Sequence, residues 1–90
     1  MNVTQYKSKA AGLGCMACKI LGFGETPASL HHVREGQGMA QRASDWLVIP
    51  LCYQHHQGDN GIHGHGFESM NKMTEMDLLA ATIKMMMENT

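Results

Sequence analysis

Cys52-Tyr53-Gln54-His55-His56 is the stretch whose reading decides the fold. On a helical turn, Cys52 and His55 are three residues apart and share a face, while His56 is rotated ~100° away from His55. Upstream, Cys15-Met16-Ala17-Cys18 sets two more thiols at the spacing of a zinc knuckle. Cys15, Cys18, Cys52 and His55 therefore make a complete Cys3His set, which closes a tetrahedral zinc site and leaves no position for water. The plainer reading is three buried free thiols beside a hydrogen-bonded histidine, and two correctly spaced pairs weigh against it. A structural zinc is worth ~10–16 kcal/mol in finger peptides. A domain of 90 residues has only ~5 kcal/mol to spare without such a staple, so loss of any ligand is expected to unfold it.

The composition agrees with a zinc-stapled chain. Three cysteines cannot all pair internally, no charged-then-apolar leader precedes them, and no apolar run approaches the ~20 residues that cross a bilayer. A cytosolic protein is expected, where clustered Cys and His signal metal more often than disulfide. Net charge is −1, too small for a strong non-specific DNA binder. The charge is unevenly spread, since residues 1–42 carry +3 and residues 43–90 carry −4. A polyanion is expected to meet the first half, to which bound metal ions would add positive charge. An ordinary mixed surface is the plain alternative.

The pattern along the chain predicts one small α+β domain over residues 13–90, preceded by a partly ordered arm over residues 1–12 that lacks clear periodicity. Lys7 and Lys9 on that arm are candidate phosphate contacts. Leu30-His31-His32-Val33 reads as a short strand ended by Gly36 and Gly38. Met39 to Ala43 reads equally as a helical turn or a loop. Trp46-Leu47-Val48-Ile49 reads as a second, buried strand closed by Pro50, so that residues 30–51 form a hairpin with a long connection. A short helix follows Pro50 and is stopped by Gly58 and the Gly-Asp-Asn-Gly turn at 58–61. Thr74 to Asp77 has the form of a capping box. After it, Met76, Leu79, Ala80, Ile83, Met86 and Met87 repeat at helical spacing, as core rather than as a Met-rich binding face.

All six histidines fall between residues 31 and 65. If Cys52 to His56 is helical, His56 looks toward the strand that carries His31 and His32. Successive strand residues point to opposite sides, so both reach one cleft only if the strand ends or kinks at that pair. A histidine on each element, with a spare between, suits phosphodiester hydrolysis with one metal ion. One imidazole serves as general base, and the ion polarises the phosphate and stabilises the departing oxygen. The plain alternative, a histidine held by a hydrogen bond alone, suits any one of these residues better than the set. In Gly61-Ile62-His63-Gly64-His65-Gly66, His63 follows an apolar anchor and is the better further ligand, while His65 reads as an exposed loop residue. An all-nitrogen site favours zinc, nickel or cobalt over magnesium by affinity, which leaves the working ion to availability.

Cys15-x-x-Cys18, Leu30-His31-His32, Pro50-Leu51-Cys52-x-x-His55-His56, Ile62-His63 and Glu75-Met76-Asp77-Leu78-Leu79 together resemble the phage and prophage recombination enhancement (Ref-like) nucleases of the HNH endonuclease superfamily. The resemblance covers roughly residues 13–85 and is specific in combination rather than motif by motif. It implies a ββα-metal (HNH, or His-Me finger) core with a C-terminal helix. It also implies DNA endonuclease activity on a RecA-coated substrate, a structural Zn2+ and a divalent catalytic metal (Mg2+, Mn2+ or Zn2+). By position, His31 falls where such proteins keep their first metal ligand, His32 the general base, and His56 the closing ligand. His63 matches a family histidine near the active site. Two departures stand out. Asp45-Trp46-Leu47 occupies the place of the middle Asn, and the long basic N-terminal arm of some relatives is missing. The competing expectation is a non-catalytic zinc module that binds nucleic acid or a recombination protein, with one tight zinc and no second ion.

Overall fold

The computed structural model describes residues 1–34, 44–58, 61–63, 67 and 71–88. The readings placed on Gly36, Gly38, residues 39–43, residues 59–60 and His65 lie outside those residues. Among the described residues the element order is α1 (Val3–Gly12), α2 (Met16–Leu21), β1 (Ser29–His32), β2 (Val48–Leu51), α3 (Tyr53–His56) and α4 (Glu75–Glu88). This is a small α+β arrangement around a two-stranded antiparallel sheet.

β1 and β2 pair with Ser29 opposite Leu51, Leu30 opposite Pro50, His31 opposite Ile49 and His32 opposite Val48. A further bond from the Val33 amide to the Leu47 carbonyl, at 2.9 Å, continues the hairpin. The strand expected at 46–49 thus begins two residues later and runs through Pro50 instead of stopping there. Proline is tolerated because this sheet has only two strands, so a residue without an N–H can turn that side away from its partner. Trp46 is accordingly not a buried strand residue. It is 46 % exposed, and its ring packs against Tyr6 at 5.0 Å between centroids.

All four residues of β2 are buried, which makes it the spine of the molecule. Alternation along the strand sends Val48 to one face and Ile49 and Leu51 to the other. Val48 packs with Ala10 and Met86, flanked by Tyr6, Leu13 and Leu30. Ile49 and Leu51 pack with Cys15, Met16, Ala17, Val33, Leu78 and Leu79.

Residues 3–12, expected as a partly ordered arm, are helix α1. Asn2 and Gln5 form a reciprocal capping box, with the Gln5 amide donating to Asn2 Oδ1 at 2.9 Å and the Asn2 amide to Gln5 Oε1 at 3.0 Å. Tyr6, Ala10 and Leu13 then present one ridge to β2. The ridge is short and interrupted by Lys and Ser, so periodicity alone gives little sign of it.

The capping box of α4 is present as expected. The Asp77 amide donates to Thr74 Oγ1 at 3.1 Å, and the Thr74 amide to Asp77 Oδ2 at 2.9 Å. Its buried face differs from the one the methionine spacing suggests. Leu78, Leu79, Thr82 and Met86 are buried, whereas Met76, Ile83 and Met87 stand exposed. Thr82 can occupy the core because its hydroxyl donates to the Leu78 carbonyl at 2.8 Å, which satisfies the polar atom within the helix.

Candidate metal centres

Cys15 caps the N-terminus of α2, its sulfur accepting from the Cys18 amide at 3.4 Å, so the C-x-x-C pair sits on one tight turn. Cys52 follows β2 directly and is the N-cap residue of α3, which places His55 one turn further on. The four donor atoms lie within 4.8 Å of one another. Cys18 Sγ and Cys52 Sγ are 3.8 Å apart, and His55 Nδ1 stands 3.5, 3.5 and 3.3 Å from the sulfurs of Cys15, Cys18 and Cys52. A tetrahedron with zinc–sulfur bonds of ~2.3 Å and zinc–nitrogen bonds of ~2.0–2.1 Å has S···S edges of about 3.8 Å and S···N edges of about 3.5 Å. The cluster matches those edges and could hold a structural zinc.

Its electrostatics suit the same use. Burial holds His55 below the ordinary imidazole range, which favours the neutral ligand form. Its ring stacks on Phe23 at 6.3 Å and meets Phe67 edge-on at 6.2 Å. Burial pushes the Cys15 thiol up to about 11, against lowering contacts from the backbone at Cys52 and Cys18. Burial pushes Cys52 upward too, but the backbone at His55 and the neighbouring thiols outweigh it and the net shift is downward. A bound cation would deprotonate the thiols that coordinate it.

The second cluster begins one residue after the first. His56 ends α3, and the chain then folds back along it. The Ile62 amide donates to the His55 carbonyl at 2.8 Å and the His63 amide to the His56 carbonyl at 3.2 Å. Glycine is required for this return, because a Cβ at Gly61 would lie 2.9 Å from the Gln54 and His56 carbonyl oxygens. His63 is thereby set beside His56, with Nε2 atoms 3.0 Å apart. His31, only 5 % exposed, completes the group from β1. Its ring lies 5.1 Å from that of His56 and 4.9 Å from that of His63. One nitrogen from each of the three lies within 4.8 Å of the others. Two nitrogens on one ion at ~2.0–2.1 Å are separated by about 2.9–3.4 Å, and the His56–His63 distance falls in that range. His56 is held below the ordinary imidazole range, first by burial and then by repulsion from His31 and His63.

His32 does not join this group. His31 and Ile49 share one side of the sheet, while His32 pairs with Val48 on the side covered by α1. There His32 Nε2 lies 2.9 Å from Asp45 Oδ1, and Lys7 Nζ from α1 lies 3.7 Å from the same oxygen. His31 and His32 therefore project apart as strand alternation demands, although β1 ends at His32. Two carboxylates thus complete the surroundings of this histidine pair. In the sequence, Asp45 stands out only as the residue in place of an asparagine. The other, Glu75, figures there within the Thr74–Asp77 capping box and the Glu75–Leu79 motif of the resemblance, with no sign of His31, yet its Oε2 lies 2.5 Å from His31 Nε2. Separations of 13 and 44 residues hide both contacts from the sequence.

Fold and site together define a small α+β protein with a Cys3His cluster able to bind zinc and a separate cluster of three histidines. The family model of recombination enhancement, RecA-dependent nucleases matches residues 4–76, and the chain belongs to that family. No curated protein and no solved structure matches the chain. The family description is of a recombination nuclease, which involves DNA and RecA. Among the described residues no helix is long and apolar enough to cross a membrane.

Proposed function

We propose that the protein is a metal-dependent DNA endonuclease of the HNH type, built on a ββα-metal core and acting in RecA-dependent recombination on RecA-coated DNA. The observation that carries this reading is the convergence of His31, His56 and His63 beside, and separate from, the closed Cys3His cluster. Three protein ligands leave coordination positions open for substrate, as a catalytic site requires and a Cys3His site does not allow. His31, His56 and His63 would hold a divalent ion, which would supply Lewis-acid polarisation of the scissile phosphate and charge stabilisation for the departing oxygen.

The protein's own residues do the remaining work. His32 is the general base. Asp45 accepts its Nε2–H, which leaves the Nδ1 lone pair to take a proton from water. The opposed directions of His31 and His32 suit an in-line displacement, in which the attacking and leaving oxygens stand on opposite sides of phosphorus. A phosphodiester laid across the end of β1 meets the base from one side of the strand and the His31 cluster from the other. Asp45 thus takes over, as an acceptor for the base, the place where an asparagine was expected.

The test is cleavage of DNA, alone and as RecA filaments, with Mg2+, Mn2+ or Zn2+, beside an anomalous-scattering count of bound ions. The expected result is metal-dependent nicking with two ion positions per chain. His32→Ala should abolish nicking while both ions remain. One tight zinc, no ion at His31, His56 and His63, and no cutting under any of these conditions would make the protein a binding module instead.

A further inference from the structure

Glu75 is the first residue of α4, where the Thr74–Asp77 capping box fixes the start of the helix. Its carboxylate reaches back across the chain to His31, and the two side chains are 25 % and 6 % exposed. His31 Nε2 and Glu75 Oε2 stand 2.5 Å apart. The contact is that of an imidazole–carboxylate hydrogen bond, in which the carboxylate accepts and Nε2 donates, and a nitrogen that carries a proton has no lone pair for a metal.

We propose that Glu75 is a positioning residue that holds the proton on His31 Nε2, so that His31 offers Nδ1, not Nε2, to the metal. The proposal rests on the reading of His31, His56 and His63 as a metal site and adds to it the identity of the donor atom and the residue that selects it. A metal-bound histidine commonly gives its second N–H to a carboxylate, which fixes the ring and strengthens the donor nitrogen. Here that carboxylate comes from the C-terminal helix, so α4 does more than cover the core. It carries to the histidine cluster an acidic side chain bonded to His31.

The test uses full-length protein labelled with 15N at histidine, with zinc in the Cys3His cluster and Zn2+ titrated into the second site at about pH 8, where free imidazole is neutral. In the wild type, His31 should show a protonated Nε2 before titration and a coordinated Nδ1 after it, with the Nε2 proton retained throughout. Glu75→Ala should weaken Zn2+ at the second site by about 10- to 100-fold, as loss of such outer partners does. Glu75→Gln, which keeps an acceptor oxygen, should recover most of that loss. Unchanged zinc content at the Cys3His cluster, together with an unchanged melting curve, would show that the variants remain folded. Coordination through His31 Nε2, or a Glu75→Ala affinity within about threefold of wild type, would overturn the role of Glu75 while leaving the metal site standing. Failure of the wild type to bind any second Zn2+ would remove the metal site itself, and the proposal with it.

Discussion

Cys52 and His56 are four residues apart on one short element, and the structure assigns them opposite consequences when each is changed to alanine. Cys52 is buried and contributes one corner of the Cys3His cluster. If a structural zinc is worth ~10–16 kcal/mol, removal of one of four ligands forfeits about a quarter of it, ~2.5–4 kcal/mol, before the cavity is counted. A chain of this length has a total stability of about 5–14 kcal/mol. For a domain of this size each 1 kcal/mol shifts the melting temperature by roughly 4–8 °C. Cys52→Ala should therefore lower the melting temperature by about 10 °C at least, or leave no cooperative transition. His56 is only partly buried, and its close neighbours are His31 and His63, which repel it when charged. His56→Ala also places a good helix former in α3, so its effect should lie within about 1 kcal/mol and ~8 °C. Thermal melts followed by circular dichroism, with zinc content per chain and Zn2+ titration of the second site, separate the two. The expected result is loss of fold and tight zinc for Cys52→Ala, and loss of second-site metal and cleavage alone for His56→Ala. If both variants lose the tight zinc and unfold together, the division into two sites is wrong.

Asp45→Ala should leave both metal affinities unchanged and lower the cleavage rate by a part of the ~10²–10⁴ that a general base supplies, with an altered pH–rate profile; an unchanged rate and profile would dissociate Asp45 from the base. Acid should release the structural zinc. His55 is held below its usual value by burial, so the unfolded chain takes up its proton first. The stability this residue adds is complete above about pH 6.5 and is lost as pH falls from there toward the folded value. A zinc-release curve with a colorimetric chelator that stays flat to about pH 4 would contradict that sign. Leu78→Ala, at a fully buried position of α4, should cost about 2–5 kcal/mol without altering the Cys3His ligands, as read by denaturant melts at saturating zinc. A cost below about 1 kcal/mol would mean that α4 is not part of the core.

The sequence is most legible where chemistry fixes spacing. A zinc tetrahedron accepts few arrangements of thiols and imidazole, and for that reason Cys15, Cys18, Cys52 and His55 can be found without a structure. Element edges are less legible because weak local preferences compete there. Trp46 looks like a strand residue by type, yet it packs on Tyr6 outside the sheet, and Pro50 looks like a stop, yet it sits within β2. On α4 the methionine spacing is real, but the buried ridge includes Thr82, whose hydroxyl hides its fitness for the core. Helix α1 is faint in the sequence although Asn2 and Gln5 carry a cap signal, because only Tyr6, Ala10 and Leu13 form its apolar ridge. Least legible of all are Asp45 with His32 and Glu75 with His31. A carboxylate–histidine contact leaves no periodic trace: the pairing of β1 with β2 brings Asp45 to His32, and the packing of the start of α4 brings Glu75 to His31.

The two side-chain clusters are also unequal in what holds them. α3 has four residues, far below the length at which a helix persists by itself. Its beginning is pinned by Cys52 and His55 in the Cys3His cluster, and its end is clasped by the returning strand of chain from Gly61 to His63. The direction of His56, and through it the placement of His63, therefore depends on the zinc cluster holding α3 in its turn. The dependence is weaker the other way, running only through the backbone clasp of the Ile62 amide on the His55 carbonyl. His31 is set by its pairing with Ile49 and by Glu75, and nothing in the Cys3His cluster touches His31 or His63 among the hydrogen bonds of the described residues. Damage to the closed site should thus reach the histidine cluster by letting α3 unwind, whereas damage to the histidine cluster should stop at its own ion. If both clusters hold ions, an order of metal loss is expected: an ion should leave the three histidines with zinc still bound at the Cys3His cluster, whereas loss of that zinc should also disassemble the three histidines.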